Sequence, residues 1–152
     1  MEKIGEKGDF HRAKYEGYYC AGCEAFKKED ELENGQCPLH PGREIEWTEE
    51  ENWFFELSKY STELLELVQA RPDFVRPRSR LNEITRLIES GLEDISASRS
   101  RISWGVPFPE DHDHTVYVWF EALASYITAL GYPDSELFQK MWPADLQIIG
   151  KD

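Results

Sequence analysis

The chain has 152 residues, 30 of them acidic and 17 basic, for a formal net charge of −13. That balance repels phosphate backbones and makes the chain a poor candidate for gripping the body of a nucleic acid by itself. Hydrophobic residues make up 40% and aromatics 13%, enough to build one domain or two small ones, and no apolar run is long enough to span a membrane. Residues Met1 to Gly5 read as a domain start, and no signal peptide opens the chain.

Tyr15 to Cys20 (Y-E-G-Y-Y-C) reads as an aromatic-rich strand that delivers Cys20-Ala21-Gly22-Cys23. Phe26 to Leu32 forms a short turn, and Asn34-Gly35 is a hairpin signal returning the chain to Cys37-Pro38-Leu39-His40. All three cysteines and one of four histidines thus fall into two chelating pairs with two-residue spacers. Cys20, Cys23, Cys37 and His40 can close a tetrahedral shell around one Zn²⁺. With every position taken by protein, such a zinc is structural. The alternatives are unrelated buried thiols or a redox C-x-x-C; a rubredoxin-like iron site would want a fourth cysteine. The odd cysteine count argues for a reducing compartment: cytoplasm or, alternatively, an organelle matrix.

Arg43 to Trp47 alternates charged and apolar residues as a half-buried strand, and Trp53 to Leu57 reads as its partner. Thr48 to Asn52 then becomes the hairpin loop, with Glu46, Glu49, Glu50 and Glu51 solvated rather than an acid–base pair. Residues 15–57 form a small β-rich zinc module on this reading.

Ser58 is placed to cap a helix from about Lys59 to Ala70, ended by Pro72, with Leu64, Leu65, Leu67 and Val68 on its apolar side. A second helix runs from about Ser79 to Ser90, with Leu81, Ile84, Leu87 and Ile88 as its stripe and Gly91 after it. Both stripes suit helix-on-helix packing. Arg76, Arg78 and Arg80 make a modest basic patch between the helices, a solvated connection or an RNA contact.

Asp94 to Ser98 is a strand candidate, and Trp104 to Pro109 a rigid extended turn. His112 and His114 sit in an acidic stretch that reads as a solvated hairpin tip rather than a second metal site, and Ser96 and Ser98 have no histidine nearby in a nucleophile context. Val116 to Phe120 is apolar without alternation, as in a strand buried on both faces. A helix from about Glu121 to Leu130 follows, and Gln147 to Gly150 reads as another buried strand. The fold class expected is therefore α+β: a zinc knuckle with a helical pair (1–92), joined to a βαβ segment of parallel sheet (93–152). Two parallel strands are not a complete fold, so the chain is expected to be a fragment, sticky at Val116, Val118, Ile148 and Ile149.

Trp119, Ala122, Leu123 and Tyr126, spaced i, i+3, i+4 and i+7, share one helix face. It is an apolar slot with small residues between two rings, suited to a thioether. Spacing alone favours ordinary core packing over a pocket.

The strings Y-E-G-Y-Y-C-A-G-C-E-A-F, D-I-S-A-S-R, W-G-V-P-F-P, Y-V-W-F-E-A-L-A-S-Y-I and I-I-G-K-D, in that order from Tyr15 to Asp152, resemble the methionyl-tRNA synthetases, a family of class I aminoacyl-tRNA synthetases. The resemblance implies a connective-peptide insertion carrying one zinc knuckle, followed by the start of the second half of a Rossmann catalytic domain. It implies a parent ligase that uses ATP and Mg²⁺ to activate methionine and joins it to tRNA(Met). Trp119, Ala122, Leu123 and Tyr126 then line the methionine side chain, with the Tyr126 hydroxyl toward the sulfur. Arg99 matches an arginine used in activation, and Gly150 and Asp152 match positions at the ATP ribose. Two departures stand out. Glu121 replaces the family's usual Asp, and the HIGH and KMSKS signatures are absent, so the chain alone is expected to bind zinc without forming methionyl-adenylate. The alternative is a stand-alone structural zinc-binding interaction module.

Overall fold

A computed structural model describes residues 1–23, 25–102 and 104–150. Its framework is a long antiparallel ribbon. Strand β1 (Phe10–Cys20) pairs with β3 (Glu46–Phe55) in an unbroken register from Phe10↔Phe55 to Tyr19↔Glu46. A short strand β2 (Ala25–Lys27) pairs along the far end of β1, and β4 (Ile95–Ser96) pairs with the C-terminal end of β3, giving the order β2-β1-β3-β4. Asn34 (φ 52) and Gly35 (φ 74) take the left-handed conformations of a tight primed turn between Glu33 and Gln36, as the dipeptide predicts.

The expected hairpin loop at Thr48–Asn52 does not exist: those residues are the middle of β3. Thr48, Glu50 and Asn52 are buried, while Glu49 and Glu51 face water. The outward pair meets Lys14 (2.5 Å) and Arg12 (3.6 Å) across the ribbon. The loop-like composition is a strand whose inner face is polar.

After Phe55 a 3-10 turn (Leu57–Tyr60) leads into α2 (Ser61–Ala70), followed by α3 (Arg78–Glu89); a short α1 (Glu2–Glu6) precedes β1. Ser58 does not cap α2. Tyr60 occupies that position, and the Ser58 amide instead donates to Asp94 Oδ1 at 3.0 Å. The helices pack in part as expected: Val68 and Ile88 are buried, but Leu87 is exposed. Arg76 and Arg80 of the basic patch pair locally with Asp73 and Glu83.

A second antiparallel sheet has the order β5-β7-β6, from β5 (Ser98–Arg99), β6 (Pro107–Phe108) and β7 (Asp111–Val116). Ala97, fully buried, is the joint between the sheets: its N–H donates to the Trp53 carbonyl (2.8 Å) and its carbonyl accepts from the Tyr117 N–H (2.9 Å). The core lies at this joint. Phe108 is 0% exposed, stacked on Trp53 (5.6 Å between centroids) and met edge-on by Phe10 (5.2 Å). Phe120 packs against Phe10 and Phe55.

The parallel βαβ unit is not formed among the described residues. Val116 ends β7, Tyr117 caps α4 (Val118–Thr128), and Phe120 is already helical. β7 pairs with β5 and β6 instead, both antiparallel, and residues 147–150 form no strand; Ile148 is 88% exposed. His114, expected at a solvated tip, is buried in β7, whereas His112 is exposed. A final helix, α5 (Glu136–Met141), starts at a Ser135 side chain that accepts from the Phe138 N–H.

Candidate metal centre and ligand-binding face

Cys20 closes β1, and the chain turns at once, with the Cys23 N–H donating to the Cys20 carbonyl (3.2 Å). The second pair turns the same way, His40 N–H to Cys37 carbonyl (3.0 Å). The two turns bring Cys20 Sγ, Cys23 Sγ, Cys37 Sγ and a His40 ring nitrogen within 4.8 Å of one another. Cys23 Sγ lies 3.6 Å from Cys37 Sγ and 3.3 Å from His40 Nδ1, and Cys20 Sγ lies 3.8 Å from the same nitrogen. Donors at metal bonds of about 2.0–2.3 Å around a tetrahedral centre sit about 3.5–3.8 Å apart, so the four side chains can hold a metal ion with little movement.

Gly22 makes room for the imidazole. A Cβ there would lie 2.5 Å from His40 Cγ. The thiols are already unequal without metal. Burial alone would raise Cys20, but hydrogen bonds from the Cys23 amide, from Cys37 and from the Gly22 amide hold it below its ordinary value. Cys23 is pushed up to about 11 by burial and by Cys37 and Cys20 beside it. A bound cation therefore displaces at least the Cys23 proton near neutral pH.

At the other end, α4 turns Phe120 into the core and leaves the opposite face open. Trp119 is 67% exposed, and Ala122, Leu123 and Tyr126 are exposed beside it. Helical spacing sets all four on one stripe, and no described residue covers it. Arg99 is the reverse, 6% exposed. Its guanidinium stacks on the Tyr117 ring, 3.5 Å from the centroid, at the start of α4. Nη1 donates to Ser96 Oγ (2.5 Å) and to the Ser98 carbonyl (3.0 Å), and Nε has no partner. Among the described residues no carboxylate pairs with it. A buried cation without a counter-ion can accept an anion.

Gly150 is exposed beyond the last helix, and Asp152 lies outside the described residues. The structure thus gathers the four metal donors, gathers the four α4 residues, and sets Arg99 at the head of that helix; it does not bring Gly150 to them. Among the buried polar residues that escape the sequence reading are Thr48, Glu50, Asn52 and His114. His114 Nδ1 lies 3.0 Å from Ser98 Oγ and its Nε2 lies 3.6 Å from Asp111. The Ser98 hydroxyl also accepts the Trp53 N–H (2.9 Å) and is fully buried, so the Asp–His–Ser chain ties the two sheets rather than presenting a nucleophile. No hydropathy alternation marks them in the sequence: Thr48–Asn52 is polar throughout, and β7 buries three consecutive residues, His114 to Val116.

A family model described as tRNA synthetases class I (M) matches residues 10–152, and the chain belongs to that family. Relatives named methionine–tRNA ligase include those of Nostoc sp. (47% identical over 99% of this chain), Synechocystis sp. (48% over 100%) and Thermotoga maritima (46% over 100%). The chain spans only 29%, 30% and 25% of their lengths. Among solved structures it is similar to Mycobacterium tuberculosis methionyl-tRNA synthetase. The apo form gives a TM-score of 0.82 at 42% identity, over 95% of this chain and 30% of that one. A complex with methionyl-adenylate gives 0.80 at 40% identity, over 95% and 29%.

Proposed function

We propose that this chain is one segment of a methionine–tRNA ligase, contributing a zinc-clamped insertion (1–92) and one wall of the methionine site from the catalytic half (93–152). The observation that carries the reading is the open α4 face: two exposed rings, Trp119 and Tyr126, flank Ala122 and Leu123 on a helix that is half-buried only at Phe120, Ala124 and Ile127. Exposing that much aromatic surface is costly unless something covers it. An unbranched thioether fits between such rings, and the Tyr126 hydroxyl supplies a donor to its sulfur.

In the reaction, the methionine carboxylate attacks the α-phosphate of ATP, pyrophosphate leaves, and the adenylate passes its methionyl group to a hydroxyl of the tRNA 3′-adenosine. This chain's share is positioning and charge. Trp119, Ala122, Leu123 and Tyr126 seat the side chain. Arg99 lends a fixed positive charge to the carboxylate or the transferring phosphate. Gly150 and Asp152 meet the ribose. Cys20, Cys23, Cys37 and His40 would hold one structural Zn²⁺, which would cross-link the end of β1 to the loop that follows it. Mg²⁺ accompanies ATP on groups outside this chain, as do the HIGH and KMSKS signatures, so the segment alone is inactive. A net charge of −13 leaves tRNA binding to the rest of the ligase. No helix of the described residues is long and apolar enough to cross a membrane; a cytoplasmic ligase is the matching location.

The test is ATP–pyrophosphate exchange by the intact ligase carrying Trp119→Ala or Tyr126→Phe. The reading expects the KM for methionine to rise, about tenfold or more for Trp119→Ala. Unchanged methionine dependence in both variants would reject the pocket.

A further inference from the structure

A polar stripe in the middle of a buried strand is unexpected. Asparagine is a poor strand former, and a buried amide is costly unless its donors and acceptors are used. Asn52 is 1% exposed, and both ends of its amide are engaged. Oδ1 accepts the backbone N–H of Ser100 (3.2 Å), and Nδ2 donates to Glu50 (3.0 Å). Glu50, also buried, faces Arg101 Nε at 3.5 Å, and Arg101 reaches Thr48 Oγ1 as well. On the near side, Ser98 is tied to the same strand through the Trp53 N–H, and Ala97 through the Trp53 carbonyl.

The residue between these anchors is Arg99. Its neighbours Ser98 and Ser100 are both fastened to β3, and its own carbonyl accepts from Thr115 Oγ1 (3.4 Å). In an extended segment alternate residues point oppositely. The Ser98 hydroxyl points to β3, so the Arg99 side chain points the other way, onto Tyr117 at the head of α4, and the bond from the Ser100 amide to Asn52 fixes the peptide that follows Arg99. We propose that Asn52, braced by Glu50, is a positioning residue for Arg99: the strand that carries the chain back from the metal centre fixes the backbone that aims the cation at the methionine and ATP site. This rests on the reading of Arg99 as the activating arginine.

The experiment uses the intact ligase and ATP–pyrophosphate exchange at varied methionine. Asn52→Ala frees the Ser100 amide and lets the guanidinium shift. A displacement near 1 Å at a reacting centre costs up to about 100-fold, so kcat is expected to fall about 10- to 100-fold. The KM for methionine should stay within about twofold, because the α4 face is untouched. The double variant Asn52→Asp with Glu50→Gln rebuilds the pair with donor and acceptor exchanged, and most of the lost kcat should return. Arg99→Ala should lower kcat at least as much, and adding Asn52→Ala to it should cost little more, because both act on one group.

If Arg99→Ala leaves kcat intact, the assignment of Arg99 fails, whatever Asn52 does. If Arg99→Ala is impaired but Asn52→Ala keeps kcat, the positioning role is overturned while the arginine's role stands. It is also overturned if the losses of Asn52→Ala and Arg99→Ala multiply and the exchanged pair restores nothing, the pattern of a general packing defect. Should Asn52→Ala not yield folded protein, single Asn52→Asp, which keeps the side-chain shape but opposes Glu50, takes its place in each comparison.

Discussion

The metal centre and the seam between the two sheets solve one problem in opposite ways. Each must hold polar groups away from water. At the metal centre the donors come from two short turns within 21 residues, and Cys20, Cys23, Cys37 and His40 converge because each pair is closed by its own backbone hydrogen bond. In the seam the partners are far apart in sequence: Asn52 with Ser100, Glu50 with Arg101, Trp53 with Ser98. Local spacing announces the first arrangement. Only the folded register of β3 against residues 97–101 reveals the second.

This contrast sets separable losses. The largest follows from Cys20→Ser or from chelation in the intact protein. Binding free energy at structural zinc sites, about 10–16 kcal/mol, is also folding free energy, so the turns at 20–23 and 37–40 should lose order. Elemental analysis should find no stoichiometric metal, and hydrogen exchange should rise there while the amides of β7 stay protected; equal loss across both regions would dissolve the distinction. Phe108→Ala should do the converse. It empties the joint between Trp53 and Phe10 and should cost about 3–5 kcal/mol by denaturant unfolding, with metal still bound.

Gly22→Ala is milder. Its methyl would lie 2.5 Å from the His40 ring, so the imidazole must retreat from the sulfurs, and metal affinity should fall about 10- to 100-fold in a competition titration, with the seam unaffected. Metal uptake should also release protons and weaken as pH falls, since Cys23, pushed up to about 11, must give up its proton; calorimetry in buffers of different ionisation enthalpy reads this.

The smallest effect is acid sensitivity of the seam. Burial alone would raise Asp111, but the Asp113 amide, the Trp53 indole, and the charges of His114 and Arg12 hold it below the ordinary carboxylate value. Asp94 is held low against its own burial by Ser58 and by His11 and Lys59. Groups with depressed folded pKa values add stability above the unfolded value, about 3.9, and lose it as pH falls through the folded one. Unfolding free energy should therefore be level from neutral pH to about pH 5 and decline below about pH 4, more shallowly for Asp111→Asn.

Much of the N-terminal lobe was legible. The first strand, the Asn34-Gly35 turn, both helices of the pair and the metal donors follow from local chemistry. Thr48-Glu49-Glu50-Glu51-Asn52 misled because a strand with a polar inner face has the composition of a loop. Val116 to Phe120 misled because one apolar run serves two elements: Val116 finishes β7, whereas Phe120 docks the first turn of α4. Ile148 and Ile149 have a strand's composition, but no described strand pairs with them and both are exposed. The spacing of Trp119, Ala122, Leu123 and Tyr126 puts them on one face of α4. Its spacing favoured core packing, yet the structure leaves it open, because Phe120 on the other side already anchors the helix.

The most direct test of the account is equilibrium binding of methionine to the intact ligase with and without Trp119→Ala. If the α4 stripe is the wall against which the thioether lies, the dissociation constant should rise about tenfold or more while metal content stays stoichiometric. An unchanged dissociation constant in a folded, metal-bound variant would contradict it.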